Sequence, residues 1–411
     1  MSFYIYDIAF LILATIALVI FVSKKKRGLK REGLIYLYRT KLGIKFIEET
    51  SKKYQKFLKV MQYFSVLCGY MLMAGITWLL GLTLYTYLKF PQITEQIKSP
   101  PIFPLIPYFP ELFGLTSFFP PFYFIYWILA LAIVAVVHEA SHGVFARFYK
   151  IKVKSTGFAF LGPFLGAFVE PDEKQMQKKP IFQQLSVLSA GTFANILTAV
   201  LVFFALWGMF NITFQESGVM IKGYAGTFVN LSDIASANLT LEQPNISYSN
   251  NLSLIAIGEN KFFISRESIT NLPIDAKRVY LFYDTPALRV GLSGALTKIN
   301  DKKIKNIDEL QSVMEKFKPD EKILVETKTK NETRTNEAIL VEHPDKIGAP
   351  FIGIASSGQK GSALGKVFRS LLFFNDPSVY YESRSNIAVF AYHFLWWLFM
   401  INFFVALFNM L

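Results

Sequence analysis

The sequence has one cysteine, Cys68, and only four histidines. A lone thiol excludes any internal disulfide, and its place in an apolar run marks it as a small buried residue and not a reactive one. Charge is scarce as well, at 18% of residues against 52% hydrophobic and 16% aromatic. A chain of 411 residues has room for two or three soluble domains, but the apolar residues are not spread evenly. They gather into runs near 4–22, 60–88, 122–137, 183–210 and 386–411. Each is long enough, or nearly so, to cross about 30 Å of hydrocarbon. The pattern predicts a multi-pass α-helical membrane protein with about five spans. Residues 4–22 carry no positive leading segment and no small-residue cleavage site, so an uncleaved anchor is expected there.

Acidic residues are in deficit, and the formal net charge is +13. Nucleic acid is not the expected partner, because no recognition module accompanies the charge. Between Lys24 and Lys59 there are thirteen Lys/Arg against three Glu, directly after the first apolar run. With Leu, Ile, Tyr and Phe interleaved, residues 24–59 read either as a basic amphipathic stretch on the bilayer surface or as a solvated cytosolic loop. Either reading puts the segment inside. The span 60–88 then leads out to a Pro-rich external segment, 89–121, and the 122–147 span returns to the cytosol. The next loop carries Lys150, Lys152, Lys154, Lys174, Lys178 and Lys179, which fits the same orientation. The span 183–210 leads out to an extracytoplasmic region, 211–365, and 386–411 heads back. Asn-x-Ser/Thr triplets at Asn211, Asn230, Asn238, Asn245, Asn251 and Asn331 fall in that external region.

The third apolar run is interrupted by His-Glu-Ala-Ser-His, residues 138–142, and apolar character resumes at Val144. On a helix, His138 and His142 share a face and can aim two imidazoles at one point. Glu139, about 100° round the helix, lies near that point and can handle a proton. Two imidazoles, a water and a carboxylate to deprotonate it make the arrangement of a zinc hydrolase. A chance pentapeptide or a polar-packing or proton-relay role is the bland alternative. It weakens inside a span, where ionisable groups are rare and usually functional.

This segment resembles the site-2 protease family of intramembrane zinc metalloproteases. A second element follows in "SVLSAGTFANILTAV", residues 186–200, which resembles the family's Ser-Ala-Gly-Pro-x-x-Asn helix: Ser189, Ala190, Gly191 and Asn195 match, and Thr192 replaces the usual proline. The resemblance implies that His138 and His142 bind Zn2+, that Glu139 is general base and then acid, and that Asn195 contacts substrate backbone or the oxyanion. An interhelical hydrogen bond is the simpler role for Asn195. Between the two elements, "STGFAFLGPFLGAFVEPDE", residues 155–173, does not read as a helix, and the family has a re-entrant hairpin here that presents substrate as an extended strand. The resemblance spans roughly 122–411 and offers nothing usable in 1–121.

Within the external region, Leu296, Ile299 and Ile304 fit short strands around Asn300-Asp301. Ile307, Leu310, Met314 and Phe317 recur at helical spacing after Asn306 as N-cap, and "KILVETKTK" alternates as a strand. Residues 284–355 thus resemble a PDZ domain inserted in the membrane fold, an α+β module that would filter substrates or bind their peptide tails. The stretch 217–283 is less regular; it either completes that fold or forms a second, degenerate one. His343 is expected at the surface.

A catalytic zinc needs a third protein donor. In the family it is an aspartate in the last core span, in a segment resembling Asn-x-Leu-Pro-x-x-Pro-Leu-Asp-Gly. Here Asn409, Met410 and Leu411 resemble its opening, no Asp or Glu follows Glu382, and the aspartate is expected past Leu411. His393 is a poor substitute: counting helical rise, it lies about 10 Å below the outer face and His138 about 24 Å. It is expected in an outer aromatic belt with Trp396 and Trp397. Asn402 has suitable depth but is a weak zinc ligand. The reading that follows is an intramembrane zinc metalloendopeptidase that cuts single-pass membrane proteins near the cytosolic leaflet. A catalytically inactive scaffold binding partners through its PDZ-like domain is the alternative. A metal transporter ranks behind both, because only one polar focus lies in the spans.

Overall fold

In the computed structural model the described residues are 3–24, 29–33, 35–89, 105–116, 119–161, 164–231, 252–257, 260–265, 277–329, 332–356 and 376–411. The chain begins with α1 (Phe3–Lys24), the strands β1 (Leu29–Glu32) and β2 (Ile35–Thr40), a short helix α2 (Ile44–Lys53) and a long one, α3 (Gln55–Lys89). Then come α4 (Phe124–Phe148), the hairpin strands β3 (Val153–Leu161) and β4 (Phe164–Pro171), and α5 (Ile181–Thr213); α6 (Asn386–Phe408) is last. Among the described residues five helices, α1, α3, α4, α5 and α6, are long and apolar enough to cross a membrane. A helix satisfies its own backbone polar groups, which hydrocarbon cannot do. All five expected spans are therefore present as helices.

The chain divides into two compact units, Met1–Met209 with Asn386–Leu411, and Phe210–Ser385. In the first, β1, β2, β3 and β4 form one antiparallel sheet in that order. The β3–β4 hairpin was expected; its annexation of β2 was not. Tyr36 pairs with Phe160 and Thr40 with Thr156. The described residues of 24–59 are therefore built into the fold. Their first half joins the sheet, and α2 lies against α4 with Ile47 buried beside Val144, Phe145 and Ala190. Gly143 permits that approach, since a Cβ there would sit 2.9 Å from Ile47 Cδ1 and 3.1 Å from Val169 Cγ1. Arg147 on α4 pairs with Glu48 on α2 at 2.5 Å.

Polar contacts tie the remaining spans together. Ser65 on α3 meets Ser189 on α5 at 2.9 Å, and the Ser186 hydroxyl donates to the Gln62 carbonyl. On α1, Asp7 is 1% exposed and accepts from Tyr108 Oη, from Phe124 N at 2.9 Å and from Ile125 N at 3.0 Å. It caps α4 from another helix. On α6, Trp397 stacks on Phe122 at 3.9 Å and donates to the Pro121 carbonyl. At 2% exposure it is a buried packing residue and not part of a lipid-facing belt, because its indole N–H finds a protein partner.

Among the described residues the second unit has two large sheets and two short two-stranded ones. The main strands of the large sheets are β5 (Phe214–Ile221), β6 (Gly226–Asn230), β7 (Leu252–Ile257), β8 (Asn260–Ser265), β9 (Arg278–Tyr283), β10 (Gly294–Ile299), β11 (Lys322–Lys328), β12 (Thr333–Ile339) and β13 (Val379–Ser383). The larger sheet runs β12-β11-β10-β5-β13 and packs Val219, Leu296, Ile299, Leu310 and Val325 into its core. The expected helix is Ile307–Met314, and the Asn306 side chain accepts from Glu309 N at 3.0 Å as its N-cap. The stretch 217–283 divides its loyalty: β5 enters the larger sheet, while β6-β9-β8-β7 form a second antiparallel sheet around Ile255, Ile264, Val279 and Leu281. His343 is half-buried, its ring 4.5 Å from Phe351. Asn238, Asn245, Asn251 and Asn331 lie outside the described residues, as do 90–104 and 117–118 of the Pro-rich segment.

Candidate metal centre

The α4 helix brings His138 and His142 together as their spacing requires, with Nε2 atoms 3.2 Å apart. Two nitrogens at about 2.0–2.1 Å from one tetrahedral zinc are separated by about 3.3 Å. The imidazoles thus already span one edge of such a site. Each ring is held from behind by α5. His142 Nδ1 donates to the Val187 carbonyl at 2.6 Å, which leaves the Nε2 lone pair facing inward. His138 Nδ1 accepts from Asn195 Nδ2 at 3.0 Å. The result is one hydrogen-bonded chain from Asn195 through both rings to Val187, with His138 Nε2–H donating to His142 Nε2.

Gly191 sets the third side. A Cβ there would stand 2.5 Å from Nε2 of both histidines, so the point on which the rings converge lies against bare helix backbone. That cradle, the two converging nitrogens and the Val187 acceptor behind His142 fit a zinc ion held by His138 and His142, once the His138 proton moves from Nε2 to Nδ1. Thr192, standing where the resemblance expects proline, turns its hydroxyl back to the Ser189 carbonyl at 2.9 Å.

Glu139 lies on the same helix, α4. Glu139 Oε2 accepts from Val169 N of β4 at 3.0 Å, so the β3–β4 hairpin positions the carboxylate. Asn195 is fully buried, and its Oδ1 has no hydrogen-bond partner among the described residues. Asn402 is fully buried too, with Nδ2 bonded to the Leu398 carbonyl at 2.7 Å and Oδ1 unpartnered. His393 lies on α6 with its ring beside Tyr392. Among the described residues no group of three or more His, Cys, Asp or Glu could hold a metal ion.

Over residues 126–411 the sequence matches the profile of Peptidase family M50. The chain belongs to the M50, or site-2 protease, family. With five apolar helices it is a multi-pass integral membrane protein of that family. It is 30% identical over 233 residues to an uncharacterized protein of Methanocaldococcus jannaschii, an alignment covering 54% of this chain and 58% of that one. The chain therefore matches less than two thirds of that relative's length. Part of it is similar to the PDZ domain of the SdrC-like protein of Listeria monocytogenes, at 26% identity, 18% of this chain, 76% of that one and a TM-score of 0.16.

Some contributors to this M50 site carried no sequence signal that could be read. The Val187 carbonyl and the Val169 amide are main-chain groups, which any residue type supplies. Gly191 was visible as a small residue in a matching motif, but its closeness to both imidazoles belongs to helix packing.

Proposed function

We propose that this protein is an intramembrane zinc metalloendopeptidase that hydrolyses a peptide bond within the transmembrane segment of a membrane-anchored substrate, near the cytosolic leaflet. The observation that carries the reading is the imidazole pair: Nε2 atoms 3.2 Å apart, each ring braced by α5. Zinc held there would supply Lewis acidity, polarising the scissile carbonyl and acidifying a water. His138 and His142 would hold the ion. With Nε2 given to a metal, the His138 proton sits on Nδ1, and the Asn195 carboxamide carries the oxygen that can accept it. Glu139 takes a proton from the attacking water as the C–O bond forms. It returns that proton to the departing amine nitrogen as the C–N bond breaks. The second role proposed for Asn195, contact with substrate backbone or the oxyanion, falls to whichever carboxamide atom His138 does not use.

The basic residues of 24–59 and 148–180 support a cytosolic site and an extracytoplasmic inserted domain. That domain would filter substrates or bind their tails. The alternative reading is a catalytically inactive scaffold that binds partners through the inserted domain. Zinc analysis of purified protein separates the two. Stoichiometric zinc that disappears in His142→Ala supports the enzyme and removes the scaffold. In the same preparation Glu139→Gln should keep its zinc and lose cleavage of a model transmembrane substrate; cleavage that survives the substitution refutes the mechanism.

A further inference from the structure

A cavity of about 240 Å³ opens beside Glu139 and Ala140, walled by the re-entrant hairpin on one side and by residues 40–47 on the other. We infer that it is a specificity pocket that receives one apolar side chain of the substrate next to the scissile bond. The inference rests on the proteolytic reading and adds the class of residue at which the enzyme cuts.

Size is the first argument. Pockets for drug-sized ligands run to about 300–1,000 Å³. This one is smaller and suits a single large side chain. Chemistry is the second. Three polar side chains line the cavity, and each is engaged: Glu139 with Val169 N, the Thr156 hydroxyl with the Leu42 carbonyl at 2.5 Å, and Thr40 Oγ1 with Leu42 N at 2.6 Å. The rest of the lining is apolar, with Leu42, Phe46, Ile47, Val136, Phe158 and Ala167 among it. An acidic side chain there would meet the Glu139 carboxylate. A lysine would pair with that carboxylate and disable the base. Either would also lose its hydration in an apolar setting.

Position is the third argument. The cavity shares Glu139 with the reacting centre, so whatever fills it lies beside the bond that the carboxylate serves. β4 is the terminal strand of its sheet, and a substrate strand laid along it would send every second side chain to one face.

The far wall sets the specificity. Residues 40–47 lie outside the segment, 126–411, that matches the family. They are fixed where they are by the Thr40–Thr156 register, by the two bonds to Leu42, and by Gly43, whose φ of +84° turns the chain from β2 into α2. The preference for this residue of the substrate is thus written partly outside the segment that matches the family.

The test uses the full-length protein in lipid nanodiscs and a series of model transmembrane substrates that differ only in the residue beside the mapped cut. Leu, Phe and Met are expected to be cleaved about tenfold or more faster than Ala, Asp or Lys, the scale on which apolar pockets discriminate. Ala167→Leu fills the cavity and should reverse the Leu-to-Ala ratio, whereas Phe46→Ala should widen tolerance. A photo-crosslinking amino acid at Phe46, in a Glu139→Gln background, should capture the substrate segment without turnover. Rates that ignore the neighbouring residue, or a Leu-to-Ala ratio unmoved in a stably folded Ala167→Leu, overturn the pocket. So does a crosslink to lipid alone. Cleavage that does not depend on Glu139 sinks the protease mechanism instead, and the crosslink then still decides whether substrate sits in the cavity.

Discussion

Gly191 and Asn195 both act on the imidazole pair, one by what it lacks and the other by what it holds. A methyl group at 191 would occupy the point on which two Nε2 atoms converge, 2.5 Å from each. Gly191→Ala should therefore abolish zinc binding, read as zinc per protein by elemental analysis, with the helical circular dichroism unchanged. Asn195 supports His138 from behind and is expected to set affinity. Asn195→Ala should weaken zinc binding by about 10- to 100-fold, the usual cost of removing a partner of a metal-binding histidine. Competition with a chelator of known affinity measures it. The spacing of His138 and His142 was legible because a shared helix face is a local property of the backbone. Neither α5 contact was, because no local rule says which residue of another span will face a given ring.

At the scale of elements, the histidine-bearing helix α4 is held at both ends by partners distant in sequence. At its start, Asp7 accepts from the first two N–H groups of α4, Phe124 and Ile125. An N-terminal cap is worth about 0.5–2 kcal/mol, and here its loss would also strand buried donors. Asp7→Ala should lower the melting temperature in detergent, and Asp7→Asn, which keeps an acceptor oxygen, should recover part of the loss. An acid inside an apolar run was a usable signal for this role. At the other end Arg147 pairs with Glu48 of α2, and the β2 strand that leads into α2 is latched to the hairpin through Glu170, which accepts from Ser155 Oγ at 2.6 Å and Arg39 Nε at 3.3 Å. The Ser155 hydroxyl first, and then Arg39, hold the Glu170 carboxyl below the usual carboxylate range. A carboxyl whose pKa is depressed on folding stabilises above its unfolded value, and that contribution fades as pH falls through the folded one. Hydrogen exchange of residues 35–40, corrected for intrinsic rates, should accelerate as pH falls below the ordinary carboxylate range. Glu170→Gln should remove the step. The effect is modest, because the pair is partly exposed and screened.

For the whole molecule, the inserted unit begins and ends side by side: β5 and β13 pair antiparallel, with Phe214 opposite Ser383. An insertion whose ends meet can be removed without stretching what it was inserted into. Replacing 214–383 by a short Gly-Ser turn should leave zinc stoichiometry intact. If the domain filters substrates, the shortened protein should cleave targets that still carry a bulky folded ectodomain, which the full chain rejects. Equal rejection by both would remove the filter role.

What the sequence determined by itself is what short-range physics encodes. Five apolar runs had to become helices, because only a helix satisfies its backbone in hydrocarbon. His138 and His142 had to share a face, and Asn306 had to start the helix Ile307–Met314. The tertiary structure alone decided which spans touch and through which atoms. In a bilayer an apolar side chain gains little by leaving lipid for protein, so the hydrophobic pattern does not distinguish Trp397, buried on Phe122, from a residue bathed in lipid. Strand pairing across more than a hundred residues leaves no local trace either. That is why the segment at 35–47 gave no sign of what it forms: a sheet strand and one wall of the cavity beside Glu139.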